Sequence, residues 1–391
     1  MARYVAAATL ARAADGGAVV AVVLLATGSG APGWLAGLLG ASITAPHLLG
    51  PFVARSLDTA RDGRRVIALA CVVHGAAFAA AVLLYPHTWP AVAALLLAAS
   101  GLAGPLLTGG ISSRLPAIAG PDRASQRRAQ GWDVATYGLG GTIGPAIVAA
   151  ASAWASPTVA ALILTAATFA AAALVGLLPY APPPAAGLDV PRPGRTLGLM
   201  LASGPLRRTL YMTVTVALSV AVLPIAAVVS TDRLGSGPAA AGILVAAYGL
   251  GNLAGSAGLM VRPLRGDADR LMTGFAFAVA AALGCLVVVD GFAFTAVAYA
   301  AAGILNAGFF AATLAARSEY APRQARAQVF VWVGALKITA GSAGTVLAGA
   351  VALGSDRVPV ALALGLTTAC AAASILDRRK ARRHGHSTPG P

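Results

Sequence analysis

The residues able to do chemistry in this chain are few, and most of them are charges placed where charges are costly. Asp15 is the one carboxylate set well inside a long apolar stretch, and a carboxylate there must either pair or titrate. Arg12 stands one helical turn before it, so the two share a helix face and can pair in low dielectric. Lys337 lies near the middle of another apolar run, where an ammonium must face a cavity or a counter-charge. His47, preceded by Pro46, titrates in a range that suits proton exchange, whereas His74 reads as a satisfied interior histidine. Asp15, Arg12, Lys337 and His47 therefore form either a proton-coupling set or a charge network that ties helices together, and residue type alone allows both. Asp133 follows Arg127 and Arg128 closely and suggests an ion pair that stabilises a gate.

Other chemistries lack their parts. Glu319 is the single glutamate and Ser318 precedes it, so no His-Glu-x-x-His zinc helix is present. The two lysines, Lys337 and Lys380, do not follow a glycine as a phosphate-cradling loop requires. Cys71, Cys285 and Cys370 sit singly in apolar runs, with neither disulfide nor metal-ligand spacing. The expectation is a protein that is not an enzyme, with no cofactor and no metal.

What must position these residues is a membrane fold. The mean hydropathy of the 391-residue chain is +0.78 with 10% charged residues, which leaves too much apolar surface for a fold in water. Twelve runs long enough to cross a bilayer as helices can be placed, approximately at residues 4–28, 33–54, 66–86, 90–113, 132–154, 157–179, 209–231, 237–261, 271–289, 292–316, 328–352 and 358–376. The first is read as a retained span, because no convincing cleavage site follows it. The net charge of +15 does not indicate nucleic acid, since the arginines cluster in short loops between spans. All Lys and Arg except Arg12, Arg233, Lys337 and Arg357 fall on one side of the membrane when the N-terminus is cytoplasmic, which places both termini inside. The proline-rich stretch 181–208 then joins two six-helix halves, 1–180 and 209–376, and residues 377–391 form a basic cytoplasmic tail. Arg128-Ala129-Gln130 and Arg326-Ala327-Gln328 open the fifth and eleventh spans, and Gly50 and Gly255 lie late in the second and eighth, as an internal repeat would have them.

The loop after the second span, Gly50 to Arg65, with Asp58, Arg61, Gly63, Arg64 and Arg65, resembles the acidic-then-basic loop signature of the major facilitator superfamily. In the fifth span, Gly131, Gly140 and Gly144-Pro145 resemble the glycine-rich motif of that family's antiporters, and Arg114 resembles the arginine of a third family motif. The resemblance implies an all-α membrane protein of two six-helix bundles that rock to give alternating access. By it, spans one, four, seven and ten line a central cavity, and Asp58, Arg61, Arg64, Arg65 and Arg114 work with Asp133 at the cytoplasmic gate. Close glycine packing and the missing proline donor would let the fifth span bend. Tyr248, Asn252 and Asn306 are the limited polar supply for a substrate site, which suits lipophilic compounds. The leading expectation is a monomeric, proton-coupled exporter of small amphipathic molecules in a bacterial inner membrane, its partners a small-molecule substrate, protons and the lipid bilayer. An importer or facilitator of the same fold is the second reading, and a non-transporting membrane sensor or scaffold the third.

Overall fold

The computed structural model describes residues 1–180, 189–231, 233–236, 239–352 and 356–386, with backbone alone at 239 and 381–386. Among them are twelve helices long and apolar enough to cross a membrane, and no strands. They are α1 (Ala2–Gly28), α2 (Gly33–Thr59), α3 (Gly63–Leu84), α4 (Pro90–Ala119), α5 (Arg123–Trp154), α6 (Pro157–Gly176), α7 (Gly204–Val229), α8 (Ala240–Val261), α9 (Ala268–Val288), α10 (Phe292–Tyr320), α11 (Arg323–Val351) and α12 (Val358–Lys380). Lipid offers no hydrogen bonds, so a spanning backbone must satisfy itself internally, and helices do so.

Several loop aspartates are helix caps. Asp62 accepts from Arg64 N (3.0 Å) at the start of α3, Asp122 from Ser125 N (2.7 Å) before α5, and Asp267 from Arg270 N (2.9 Å) before α9. The hydrogen bond from Ser125 N holds Asp122 below the ordinary carboxylate range. At the opposite ends of the helices Trp34, Trp89 and Trp154 are at least 70% exposed, as befits indoles at a membrane interface.

By its contacts the chain divides into two compact units, Met1–Thr196 with Pro322–Ala335, and Leu197–Ala321 with Leu336–Pro391. Within the first, α1 packs on α5 and α6, and α3 on α4 and α6. Within the second, α10 packs on α8 and α9, and α12 on α7 and α9. A Cβ on Gly101 of α4 would strike the Ile43 carbonyl of α2, and a Cβ on Gly303 of α10 would strike the Tyr248 carbonyl of α8. Gly50 follows Ile43 by the same interval as Gly255 follows Tyr248, so the two crossings repeat in register.

Pro182, Pro183 and Pro184 of the linker lie outside the described residues. The part that follows is structured, for Pro193–Ala202 is a helix. The tail also differs from a simple basic anchor: the last helix continues to His386. Asp377 accepts from Arg207 (2.5 Å) and Arg208 (3.1 Å), and Arg378 donates to Asp269 (2.9 Å), which also holds Arg208 (2.9 Å). This network pins the ends of α7, α9 and α12. At the other end of the second unit Arg233 bridges Asp356 (2.5 Å) and Asp290 (2.9 Å), and Arg357 reaches Asp290 (2.5 Å). The Arg357 hydrogen bond, with Arg233 beside it, holds Asp290 below the ordinary carboxylate range.

Candidate functional site

α2 is not one continuous α-helix. A 3₁₀ turn, Ala45–Leu49, with Pro46 as its second residue, separates the α-helical stretches Gly33–Thr44 and Gly50–Thr59, and such mid-helix tightening often marks a working part. The turn carries His47, whose Nε2 lies 3.5 Å from Asp15 Oδ1 of α1. The His47 side chain is 6% exposed and that of Asp15 16%, so the carboxylate is enclosed but not sealed. Space for the pair comes from α4, where a Cβ on Gly104 would stand 2.9 Å from Asp15 Oδ1 and press on the His47 ring. Two residues singled out separately in the sequence thus form one carboxylate–imidazole pair. His74 is fully buried, its Nδ1 3.0 Å from Ser100 Oγ.

Arg12 does not pair with Asp15 as the one-turn spacing suggests. Its Nη1 is 2.8 Å from Asp133 Oδ1 of α5, with both side chains almost fully enclosed. The same carboxylate accepts from Tyr4 Oη (2.6 Å) and Ser112 Oγ (2.7 Å). Arg12 also donates to Thr136 Oγ1, to Ser112 Oγ (2.8 Å) and to the Thr108 carbonyl (3.2 Å). Its guanidinium lies 3.6 Å over the Tyr137 ring. Thr108 belongs to a π-helical turn, Leu106–Gly110, that follows Pro105 in α4, a turn type that re-aims backbone groups. Asp133 therefore takes its ion pair from Arg12, across to α1, and does not sit at the mouth of its own helix. It stands ~15 Å along α5 from that helix's start and is fully buried.

The glycines of α5 explain why this pairing wins. A Cβ on Gly140 would press on Arg12 Cβ, and one on Gly144 would strike the Ala13 carbonyl, while Gly17 of α1 faces Gly144 in return. Backbones this close bring Asp133 within reach of Arg12. Gly131 is buried in the same helix, which runs on through Pro145 to Trp154. Gly144→Val is expected to cost about 1–3 kcal/mol by overpacking, read as a lower melting temperature in detergent. Gly141→Ala, with nothing within 4 Å of its Cβ, is the control expected to change little.

In the loop signature, Asp58 is buried and accepts from Ala327 N (2.8 Å) and Gln328 N (3.0 Å) at the start of α11. A carboxylate at a helix N-terminus satisfies orphan donors and the helix dipole together. Gln328 also binds the linker, accepting from Thr196 Oγ1 (3.0 Å) and donating to the Pro191 carbonyl (3.1 Å). Arg64 reaches Asp62 (2.9 Å) and the Leu178 carbonyl (2.9 Å), and its hydrogen bond holds Asp62 below the ordinary carboxylate range. Arg61 and Arg65 are exposed, while Arg114 lies against Gly63, where a Cβ would be 3.0 Å from its Nη1. Asp58→Ala is expected to cost the capped turn about 0.5–2 kcal/mol, seen as faster hydrogen exchange at Ala327 and Gln328, with Asp58→Asn intermediate. Unchanged exchange would show that the carboxylate does not hold this turn.

In the second unit Lys337 Nζ sits 3.7 Å over the Phe310 ring, an aromatic face that a sequence reading limited to carboxylate partners overlooks. Tyr248, Asn252 and Asn306 are half-buried where α8 and α10 cross. Tyr4, Ser112, Thr136 and Tyr137, which complete the Arg12 cluster, carry no sequence signal beyond being polar in apolar runs.

No protein-family model matches the chain, and no curated protein matches its sequence. Solved structures do match. The human organic anion transporter MFSD10 superposes with a TM-score of 0.74 at 14% identity, over 95% of this chain and 99% of that one. A bacterial homologue of the iron transporter ferroportin gives 0.75 at 14%, over 97% and 99%, and an E. coli fucose:proton symporter 0.70 at 12%, over 95% and 98%. The chain shares its fold with solved structures of major facilitator superfamily transporters. Each of the three structures superposed above is named for transport: two carry the name of a transporter or its homologue and one that of a symporter.

Proposed function

We propose that this chain is a secondary transporter that exports small amphipathic molecules, cations foremost, in exchange for protons by alternating access. The observation that supports it is the Asp15–His47 pair, 3.5 Å apart on α1 and α2. Without a proton the pair carries one negative charge in an apolar surrounding; with one proton taken up by the carboxylate or shared with the imidazole, it carries no net charge. A proton and a cationic substrate therefore compete for the same charge, and that competition is the essence of antiport. The sparse polar supply at Tyr248, Asn252 and Asn306 suits a substrate bound mainly through apolar contact. Two six-helix halves, 1–180 and 209–376, would alternate about the linker, with Asp58 latching the start of α11 in one state. On this reading the arginine-rich loops and both termini lie in the cytoplasm, the membrane is a bacterial inner membrane, and the working unit is a single chain.

The test is proton movement in oriented proteoliposomes challenged with lipophilic cations and neutral amphiphiles. Proton release coupled to substrate moving from the loop-rich face supports export. Because the fucose:proton symporter shares the fold, movement of both species in the same direction would establish import instead. Substrate flux that ignores the pH gradient would establish facilitation.

A further inference from the structure

The half of α2 that follows its 3₁₀ turn packs sparsely on α3, and an apolar groove of about 200 Å³ opens between α2, α3 and α4. Val53 and Ser56 form one wall, Leu69 and Val73 the second, Ala99 and Leu102 the third. Leu69 is 62% and Val73 41% exposed, so the groove opens sideways, toward the hydrocarbon. Its one polar side chain, Ser56, is turned back on its own helix, donating to the Val53 carbonyl (2.6 Å). Nothing in these walls could bind a polar solute. An alkyl chain fits them.

The mouth of the groove is different. Arg65, Leu69 and Val73 recur every four residues along α3 and so lie in one stripe, with Arg65 at its loop end and its side chain 90% exposed. Arg61 is exposed beside it. Arg64, between them, is already engaged by Asp62, the Leu178 carbonyl and the Tyr180 ring. Asp62 approaches Arg65 only at 3.9 Å. Two guanidinium groups at a membrane interface, standing over an apolar groove open to the hydrocarbon, match a phosphate ester attached to a fatty chain.

We infer that this groove is a binding site for one anionic phospholipid, its acyl chain between α2, α3 and α4 and its phosphate held by Arg61 and Arg65. The wall shared with α4 gives the site a consequence. Ala103 and Leu106 line the groove, and between them Gly104 abuts the Asp15–His47 pair, so a lipid seated there supports the backbone that makes room for the pair. The inference concerns lipid binding and stands or falls independently of the transport reading.

Native mass spectrometry of the purified full-length protein tests it, with phosphatidylglycerol and phosphatidylcholine as the two probes. Wild type is expected to retain one phosphatidylglycerol in preference to phosphatidylcholine. Arg61→Gln with Arg65→Gln should weaken that preference by about fivefold per arginine. Ala99→Trp, at an exposed groove position, should also remove the tightly held lipid while leaving both arginines in place. Equal retention of the two lipids by wild type would overturn the site. So would an arginine variant that still prefers phosphatidylglycerol. A preference lost with the arginines but untouched by Ala99→Trp would mean diffuse surface attraction without a groove, and would equally defeat the proposal.

Discussion

Asp15→Asn is expected to reduce proton-coupled flux by at least tenfold, to the background of protein-free vesicles, while substrate counterflow at equal pH persists. Asparagine has the shape of aspartate and can still meet His47 Nε2, so the helices need not move; what it lacks is a carboxylate that can take and give a proton. A tenfold loss corresponds to ~1.4 kcal/mol of driving force, far less than a membrane-embedded carboxylate commits when its charge changes. Counterflow exchanges substrate for substrate without net proton movement, and thereby separates a coupling defect from a folding defect. His47→Gln keeps the carboxylate and removes its titrating partner, so flux should survive with a changed pH optimum. If Asp15→Asn retained full coupled flux, the carrier would lie elsewhere and the pair at α1 and α2 would be structural. Loss of counterflow together with coupled flux would instead show that the substrate itself needs the carboxylate.

Hydropathy made the spans legible because a bilayer demands long apolar runs, and the twelve helices lie where those runs are. The ends were legible only in part. α5 begins at Arg123 rather than near residue 132, and α10 ends at Tyr320 rather than near residue 316. Helix that projects past the hydrocarbon is polar and leaves no hydropathy mark, although Asp122 before α5 is a capping residue that announces the earlier start. The site followed the same division. Asp15 and His47 stood out one by one, as charge and imidazole in apolar surroundings, but their meeting depends on the 3₁₀ turn in α2 and on Gly104 in α4, both distant in sequence. Arg12 shows the converse: its nearest acidic neighbour along the helix was Asp15, yet the partner it takes is Asp133, 121 residues away. A clue to that choice was present in the glycines. Gly16 and Gly17 in α1, set against Gly140 and Gly144 in α5, allow those two helices to approach more closely than larger side chains permit.

Removing Arg12 is therefore expected to damage the fold more than the transport step. Arg12→Ala leaves a carboxylate fully buried between α1, α4 and α5 without the guanidinium that balances it, and breaking one side of a buried pair costs about 3–5 kcal/mol. Asp133→Leu is worse placed still. It strands the guanidinium and also the Tyr4 and Ser112 hydroxyls, each of which loses its acceptor at about 1–3 kcal/mol when no water replaces it. Both variants should melt well below wild type in detergent, whereas Asp15→Asn should melt close to it. Arg12→Met combined with Asp133→Leu should recover part of the loss, because two apolar side chains need no solvation and α1 and α5 already meet through glycine. Recovery of stability together with coupled flux in that double variant would assign Arg12 and Asp133 to holding helices and leave proton exchange to Asp15 and His47. Recovery of stability without flux would instead make the buried pair a second charged element of the transport cycle, and single variants that melt like wild type would refute the buried-pair account altogether.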